Sequence, residues 1–310
     1  MTKLLENSGV DHHLTTWILD YLTDRPQYPT PRGGGDWILP ADLQSPHPWS
    51  LLYADDVCLS ETENCLALQT QTQAWKDRLS ENGMRLNIKK TEYLECSPQT
   101  NCTITIDGEP LTKVAQFKYL GSLVTSDCET LPDARLRVNT AWMKWHQVSG
   151  VLCDKRMPIY LKAKVYKSIV RPVALYGSEC WPATTKHEQA LHTMEMKMLR
   201  WPLGLTRLDL VRNEDVRKQW GVTPITDKMR EARLRWYGHV VRSDKNSIAK
   251  TAQQLDLDGN RPQGRPKKRW MDRIKDDMKA VNVTPEDALD RKKWRKACKI
   301  ADPASRDINR

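Results

Sequence analysis

Apolar and polar positions divide the chain into a strand-rich front and a helical back. Leu51-Leu52-Tyr53 and Val57-Cys58-Leu59 are two short apolar runs flanking Ala54-Asp55-Asp56, which predicts a β-hairpin with its acids at or near the tip. Positions 61–82 follow with a helix, acidic in its first turn and capped near Gly83. Thr103-Ile104-Thr105-Ile106 ahead of Asp107-Gly108 predicts a second hairpin, because Asp-Gly suits a two-residue turn. Together these positions read as a small antiparallel sheet with one helix packed on it. Earlier, 13–25 read as a short amphipathic helix with Leu14, Trp17, Ile18 and Leu22 on one face, and the Pro- and Gly-containing stretch up to Trp49 reads as loop.

From about Pro132 the period is helical. Pro158 opens a helix whose stripe is Ile159, Ala163, Tyr166, Ile169, Val170 and Val173. Thr185-Lys186-His187-Glu188 reads as a capping box ahead of Leu191, Met194 and Met198, methionines better suited to a core than to a ligand. Asn213 caps a helix that ends at Gly221, and Val222-Thr223-Pro224 leads into a longer one through Trp236. That pair has the outline of a helix-turn-helix, although an antiparallel pair in a bundle is the reading preferred. On its second helix, Arg230, Arg233 and Arg235 either touch phosphates or form a solvated face. Thr284-Pro285-Glu286-Asp287 starts a final helix.

Composition narrows the class. At 310 residues the chain can bury a core and hold two domains. It has no run of about 18 apolar residues, so no membrane span is expected, and no secretory leader is evident at its start. A nuclear or cytoplasmic protein, not a secreted one, is expected. The eight cysteines are scattered without a Cys-x-x-Cys pair, and are read as buried thiols. His187 and His192 do not share a helical face, so no zinc is assigned.

Asp55 and Asp56 carry the most chemistry. Adjacent carboxylates repel, and a divalent cation held by hard oxygens relieves this and leaves room for phosphate oxygens; ordinary turn chemistry explains an Asp-Asp pair equally well. The order of later segments favours the first reading. Gly83-Met84-Arg85-Leu86-Asn87-Ile88-Lys89-Lys90-Thr91 and then Phe117-Lys118-Tyr119-Leu120-Gly121 follow the Tyr53-Ala54-Asp55-Asp56 box. Three motifs in this order resemble the palm of a reverse transcriptase from a non-LTR (LINE-type) retrotransposon: catalytic hairpin, following strand motif and primer-grip hairpin.

The resemblance implies an α+β fold with a degenerate palm and fingers remnant over 1–49, a partial palm over 50–126, a helical thumb-like region over 127–255 and a basic tail over 256–310. It implies an RNA-directed DNA polymerase working on an RNA template and a DNA primer by two-metal nucleotidyl transfer with Mg²⁺ or Mn²⁺. Asp55 and Asp56 would be the metal ligands, and Lys90 would sit near the leaving phosphates. Tyr53 would pack beside the nascent base pair, and Phe117, Tyr119, Leu120 and Gly121 would place the primer end. The family also needs an upstream strand aspartate and a Pro-Gln-Gly loop. Arg25-Pro26-Gln27-Tyr28 is not that loop, and Asp42, the nearest substitute ligand, follows Pro40, which disfavours a central strand. The expectation is therefore an inactive polymerase fragment, without the endonuclease of longer relatives, or a non-catalytic remnant that binds nucleic acid.

The net charge of +10 supports a polyanionic partner. Between Arg261 and Lys299 there are 14 Lys and Arg against 6 Asp and Glu, a strip able to track a phosphate backbone. Within it, Gly264-Arg265-Pro266-Lys267-Lys268-Arg269 is read as a nucleic-acid contact with an AT-hook-like core, a nuclear-localisation patch or a solvated linker. A stand-alone DNA-binding protein acting through this tail is the third reading. Protein partners are unknown from the sequence.

Overall fold

The computed structural model describes residues 2–7, 50–53, 56–61, 65–81, 83–96, 100–245, 247–254 and 268–303. The chain divides into two units, one within Met1–Thr130 and Asp244–Arg261, the other within Leu131–Ser243 and Pro262–Arg310. The helix expected over 13–25, the loop up to Trp49 and Asp42 lie outside the described residues.

The first unit is built on a five-stranded sheet of β1 (Thr2–Asn7), β2 (Ser50–Tyr53), β3 (Asp56–Glu61), β4 (Glu92–Cys96) and β7 (Thr112–Lys113), in the order β2-β3-β1-β4-β7. Only β2 and β3 pair antiparallel; β1 runs parallel to both β3 and β4, and β4 parallel to β7. The expected antiparallel sheet is thus a mixed one. The reason is the connection: α1 (Cys65–Glu81) returns the chain to the end where β3 began, so β4 starts in the same direction as β3. β1 then fits between them.

Helix α1 covers one face of this sheet. Its Leu68 and Trp75 pack with Leu59, Tyr93, Ile104, Ile106 and Leu111. No acid stands in its first turn, because Glu61 belongs to β3. Gly83, at φ 73°, ends it as expected: its N–H reaches the Ser80 carbonyl and that of Met84 the Leu79 carbonyl, at 3.0 and 2.9 Å. The Asp107-Gly108 hairpin also forms, between β5 (Thr105–Ile106) and β6 (Glu109–Pro110), with both turn residues at positive φ. The Gln69 amide brackets the backbone of Thr105 and so lays this segment along α1. There Cys102 is disulfide-bonded to Cys65 across a Cα–Cα distance of 6.4 Å, which corrects the reading of every cysteine as a buried thiol. Cys58, Cys96, Cys180 and Cys298 are buried thiols, whereas Cys153 is exposed.

The second unit is helical: α2 (Leu131–Gln147), α3 (Ile159–Val165), α4 (Thr185–Arg200), α5 (Asn213–Trp220), α6 (Ile225–Arg242), α7 (Trp270–Val281) and α8 (Arg291–Cys298), with shorter turns between. Two cores share α6. Trp145, Tyr166, Met198 and Trp220 centre the first, which Ile225 and Met229 reach from the start of α6. Leu234 and Tyr237, further along, join Trp270, Ile274, Met278 and Trp294 in the second. Three of the buried indoles donate to main-chain carbonyls: Trp220 to Leu199 O at 3.0 Å, Trp270 to Glu179 O at 2.7 Å and Trp294 to Leu234 O at 2.8 Å.

Three local expectations shift. After α3 the chain makes a π turn, Tyr166–Val170, before Arg171–Ala174. The wider turn rotates the apolar stripe, so Val170 is buried and Ile169 is exposed. The capping box of α4 begins one residue earlier, at Thr184, whose N–H donates to His187 Nδ1 at 3.3 Å, while the Glu188 carboxylate pairs with Arg273. Finally, 284–289 makes only a short 3₁₀ turn, and the last helix starts where the Asp290 carboxylate accepts the N–H groups of Lys292 and Lys293.

Candidate catalytic hairpin and basic tail

Tyr53 and Asp56 are register partners in the β2–β3 hairpin, so a two-residue loop, Ala54-Asp55, joins the strands. Asp55 itself lies outside the described residues. Strand alternation puts Tyr53, Asp56, Leu51 and Cys58 on the face opposite α1, since Leu59 faces the helix. Asp56 and Tyr53 are half-buried, while Leu51 and Cys58 are buried.

The primer-grip candidate is a hairpin of β8 (Gln116–Tyr119) and β9 (Ser122–Thr125). Leu120 and Gly121 make its turn, at φ 47° and 86°. Phe117 and Tyr119 are buried anchors, and the residues between and beside them, Gln116 and Lys118, are exposed. The Tyr119 hydroxyl donates to the Leu51 carbonyl at 3.3 Å, which ties this hairpin to β2. Burial, then the neighbouring Cys58 thiol and Asp56 carboxylate, push the Tyr119 hydroxyl well above its ordinary pKa. Two of the three motifs therefore meet on one face.

Lys90 sits in a 3₁₀ turn, Ile88–Lys90, rather than in a strand, and is exposed. Asn87 sets the turn by accepting the Lys90 N–H at 3.2 Å, and the Thr91 hydroxyl donates to Asn87 O at 2.9 Å. Glu92 and Cys58 both pair with Lys3, so the turn lies at the same end of the sheet as the hairpin tip. It stands two strands away, about 10 Å across.

The strand beside the hairpin decides what the site can hold. Thr2 pairs with Val57 and Lys3 with Cys58, next to the tip, whereas Glu6 pairs with Glu61 four residues along, about 13 Å away. A hydroxyl and an ammonium residue thus hold the register positions nearest Asp56. Among the described residues no three His, Cys, Asp or Glu side chains converge on a common point.

In the tail, Arg265 and Lys267 lie outside the described residues. Lys268 is exposed and pairs with Asp276 at 2.7 Å, and the Arg269 N–H donates to Asp272 at the start of α7. The cations of helix α8 were not singled out as site residues from the sequence, yet Arg291, Lys292, Arg295 and Lys296 are all exposed, as is Lys299 beyond it. Trp294 and Cys298 hold its inner face, and the signal for this was the Trp and Cys set four apart among cations. Arg233, by contrast, is fully buried on Asp277 at 2.7 Å, neither on a solvated face nor open to phosphates. Arg230 and Arg235 pair with Asp227 and Glu231. His192 accepts from Arg217 at 2.8 Å.

No helix among the described residues is long and apolar enough to cross a membrane. No family model matches the chain, and no solved structure matches it. The chain is 24% identical over 266 residues to a transposon-derived protein of Caenorhabditis elegans, covering 79% of this chain and 93% of that protein. It is 25% identical over 233 residues to the RNA-directed DNA polymerase from mobile element jockey of Drosophila melanogaster, 70% of this chain and 24% of the polymerase. It is 27% identical over 172 residues to the RNA-directed DNA polymerase described for transposon BS of the same fly, 48% of this chain and 18% of that protein. The chain spans less than a quarter of either fly polymerase.

Proposed function

We propose that the chain is a fragment of a mobile-element RNA-directed DNA polymerase that holds nucleic acid and does not extend a primer. The observation that carries the origin is the Tyr119-to-Leu51 hydrogen bond, which joins the primer-grip hairpin to the acid-bearing one. Lys90 at the same end of the sheet is in keeping with it. Similarity to polymerases of two fly elements supports the same reading.

Loss of extension follows from the neighbours of Asp56. In an intact polymerase of this kind a cation would neutralise the acids and the departing phosphates; here, among the described residues of β1, Thr2 and Lys3 hold the register positions nearest Asp56. Neither residue type offers a carboxylate ligand beside Asp56. Tyr53 and the β8–β9 hairpin would then still shape a surface for a duplex end.

Nucleic-acid contact is assigned to the cations of the C-terminal part, Lys268 and Arg269 with Arg265 and Lys267, and the outward face of α8. Arg291 and Arg295 stand four residues apart, about 6 Å along the helix, and Lys299 follows just beyond its end. A row of this kind follows a phosphate backbone without reading bases. Binding of a labelled RNA–DNA primer–template to the full chain tests this reading. Affinity is expected to fall steeply as salt is raised, and to fall about tenfold or more when Arg291, Arg295 and Lys296 are changed to Glu. Absence of binding at low salt, or unchanged binding by that variant, refutes it.

A further inference from the structure

Helices α2 and α4 enclose an open groove of about 430 Å³ in the second unit. Val138 and Met194 lie along it, Arg135 and Lys186 line it with Lys197, and Trp142 completes the α2 side. Every carboxylate of the two helices is engaged elsewhere. Asp133 accepts the Trp181 indole N–H at 3.1 Å and lies beside Arg137, Glu188 pairs with Arg273, and Glu195 is buried on Arg217. The groove lining therefore holds three cations and no acid. None of Arg135, Lys186 and Lys197 is ion-paired to another described residue.

We infer that this groove binds a short stretch of single-stranded nucleic acid, with backbone phosphates on Arg135, Lys186 and Lys197 and a base against Trp142. Charge complementarity selects a polyanion. The aromatic wall selects its form, because unpaired bases offer a face for stacking and a duplex does not. Trp142 is half-buried, and its T-shaped contact with Trp145, 5.6 Å between centroids, fixes the ring. Lys186 and Lys197 are eleven residues apart, about 16 Å along the helix, a span of only a few nucleotides. The inference stands on α2 and α4 alone, so its failure leaves the hairpin-based reading of origin untouched.

Binding of labelled oligouridylate and oligothymidylate twelve-mers to the full chain tests it. Three phosphate contacts predict that a fourfold rise in salt weakens binding roughly twentyfold. Changing Arg135, Lys186 and Lys197 together to Glu is expected to weaken binding about tenfold or more, whereas Lys155→Glu with Lys218→Glu has little effect. A thermal melt confirms that the triple variant folds. Independently of any variant, photo-crosslinking of a 4-thiouridine twelve-mer to the wild-type chain is expected to label a peptide of α2 or α4. The inference is overturned if the strands do not bind, if the folded triple variant binds as the wild type does, or if a duplex of equal length competes equally well. Crosslinks confined to α8 would overturn it too, and would assign the strand to the tail.

Discussion

Glu195 is fully buried on α4, and its carboxylate collects donors from three elements. The Tyr166 hydroxyl donates at 3.1 Å, Arg217 through Nε at 3.0 Å and Nη2 at 2.9 Å, and the Ile225 N–H at 3.3 Å. Removing the acid strands a buried guanidinium, so Glu195→Ala is expected to cost about 3–5 kcal/mol in urea unfolding. Gly238 is a second such point. A Cβ there would collide with the Trp294 indole, and Gly238→Ala is expected to lower stability by about 1–3 kcal/mol and loosen α8. A lone glycine inside a strongly helical pattern was the available signal for this close approach. Arg233 offered no such signal. In sequence it matches Arg230 and Arg235 on the same helix, and only the position of Asp277, 44 residues on, makes it a core residue.

Whether an element was legible depended on how local its cause is. Asp107-Gly108 named its own turn because those residues tolerate positive φ, and Gly83 marked the end of α1 for the same reason. The placement of β1 between β3 and β4 was not legible, since parallel partners are set by a crossover and not by neighbouring residues. The C-terminal segment after α8 was equally hidden. There Asp302 forms a two-pronged pair with Arg171, at 2.8 and 2.7 Å, and accepts the Thr223 N–H at 2.9 Å. Burial opposes the Asp302 charge, but Arg171 and the Thr223 N–H outweigh it and hold the carboxyl down to about 2. A depressed carboxyl stabilises the fold above its ordinary pKa and loses that contribution as pH falls through about 4 towards 2. Asp302→Asn is thus expected to cost about 2 kcal/mol at pH 7 and almost nothing near pH 2, as read by chemical denaturation across that range. Tyr119→Phe is expected to cost about 1 kcal/mol through the lost bond to Leu51.

At the scale of the whole molecule, charge and chemistry are distributed between the units. The acid-bearing hairpin, Lys90 and the β8–β9 hairpin belong to the first unit, while α8 and the α2–α4 groove belong to the second. The motif order along the chain was legible, and so was the basic character of the tail over 256–310. What the residues around Asp56 leave open to chemistry was not, because it depends on which strand lies beside β3 and in what register. Thr2 and Lys3 arrive there from 55 positions upstream of their partners Val57 and Cys58. Primer extension by the purified full chain, on a homopolymer RNA template with a DNA primer and Mg²⁺ or Mn²⁺, tests this most directly. The expected result is bound primer–template and no added nucleotides; template-dependent extension that Asp55→Ala or Asp56→Ala abolishes would contradict it.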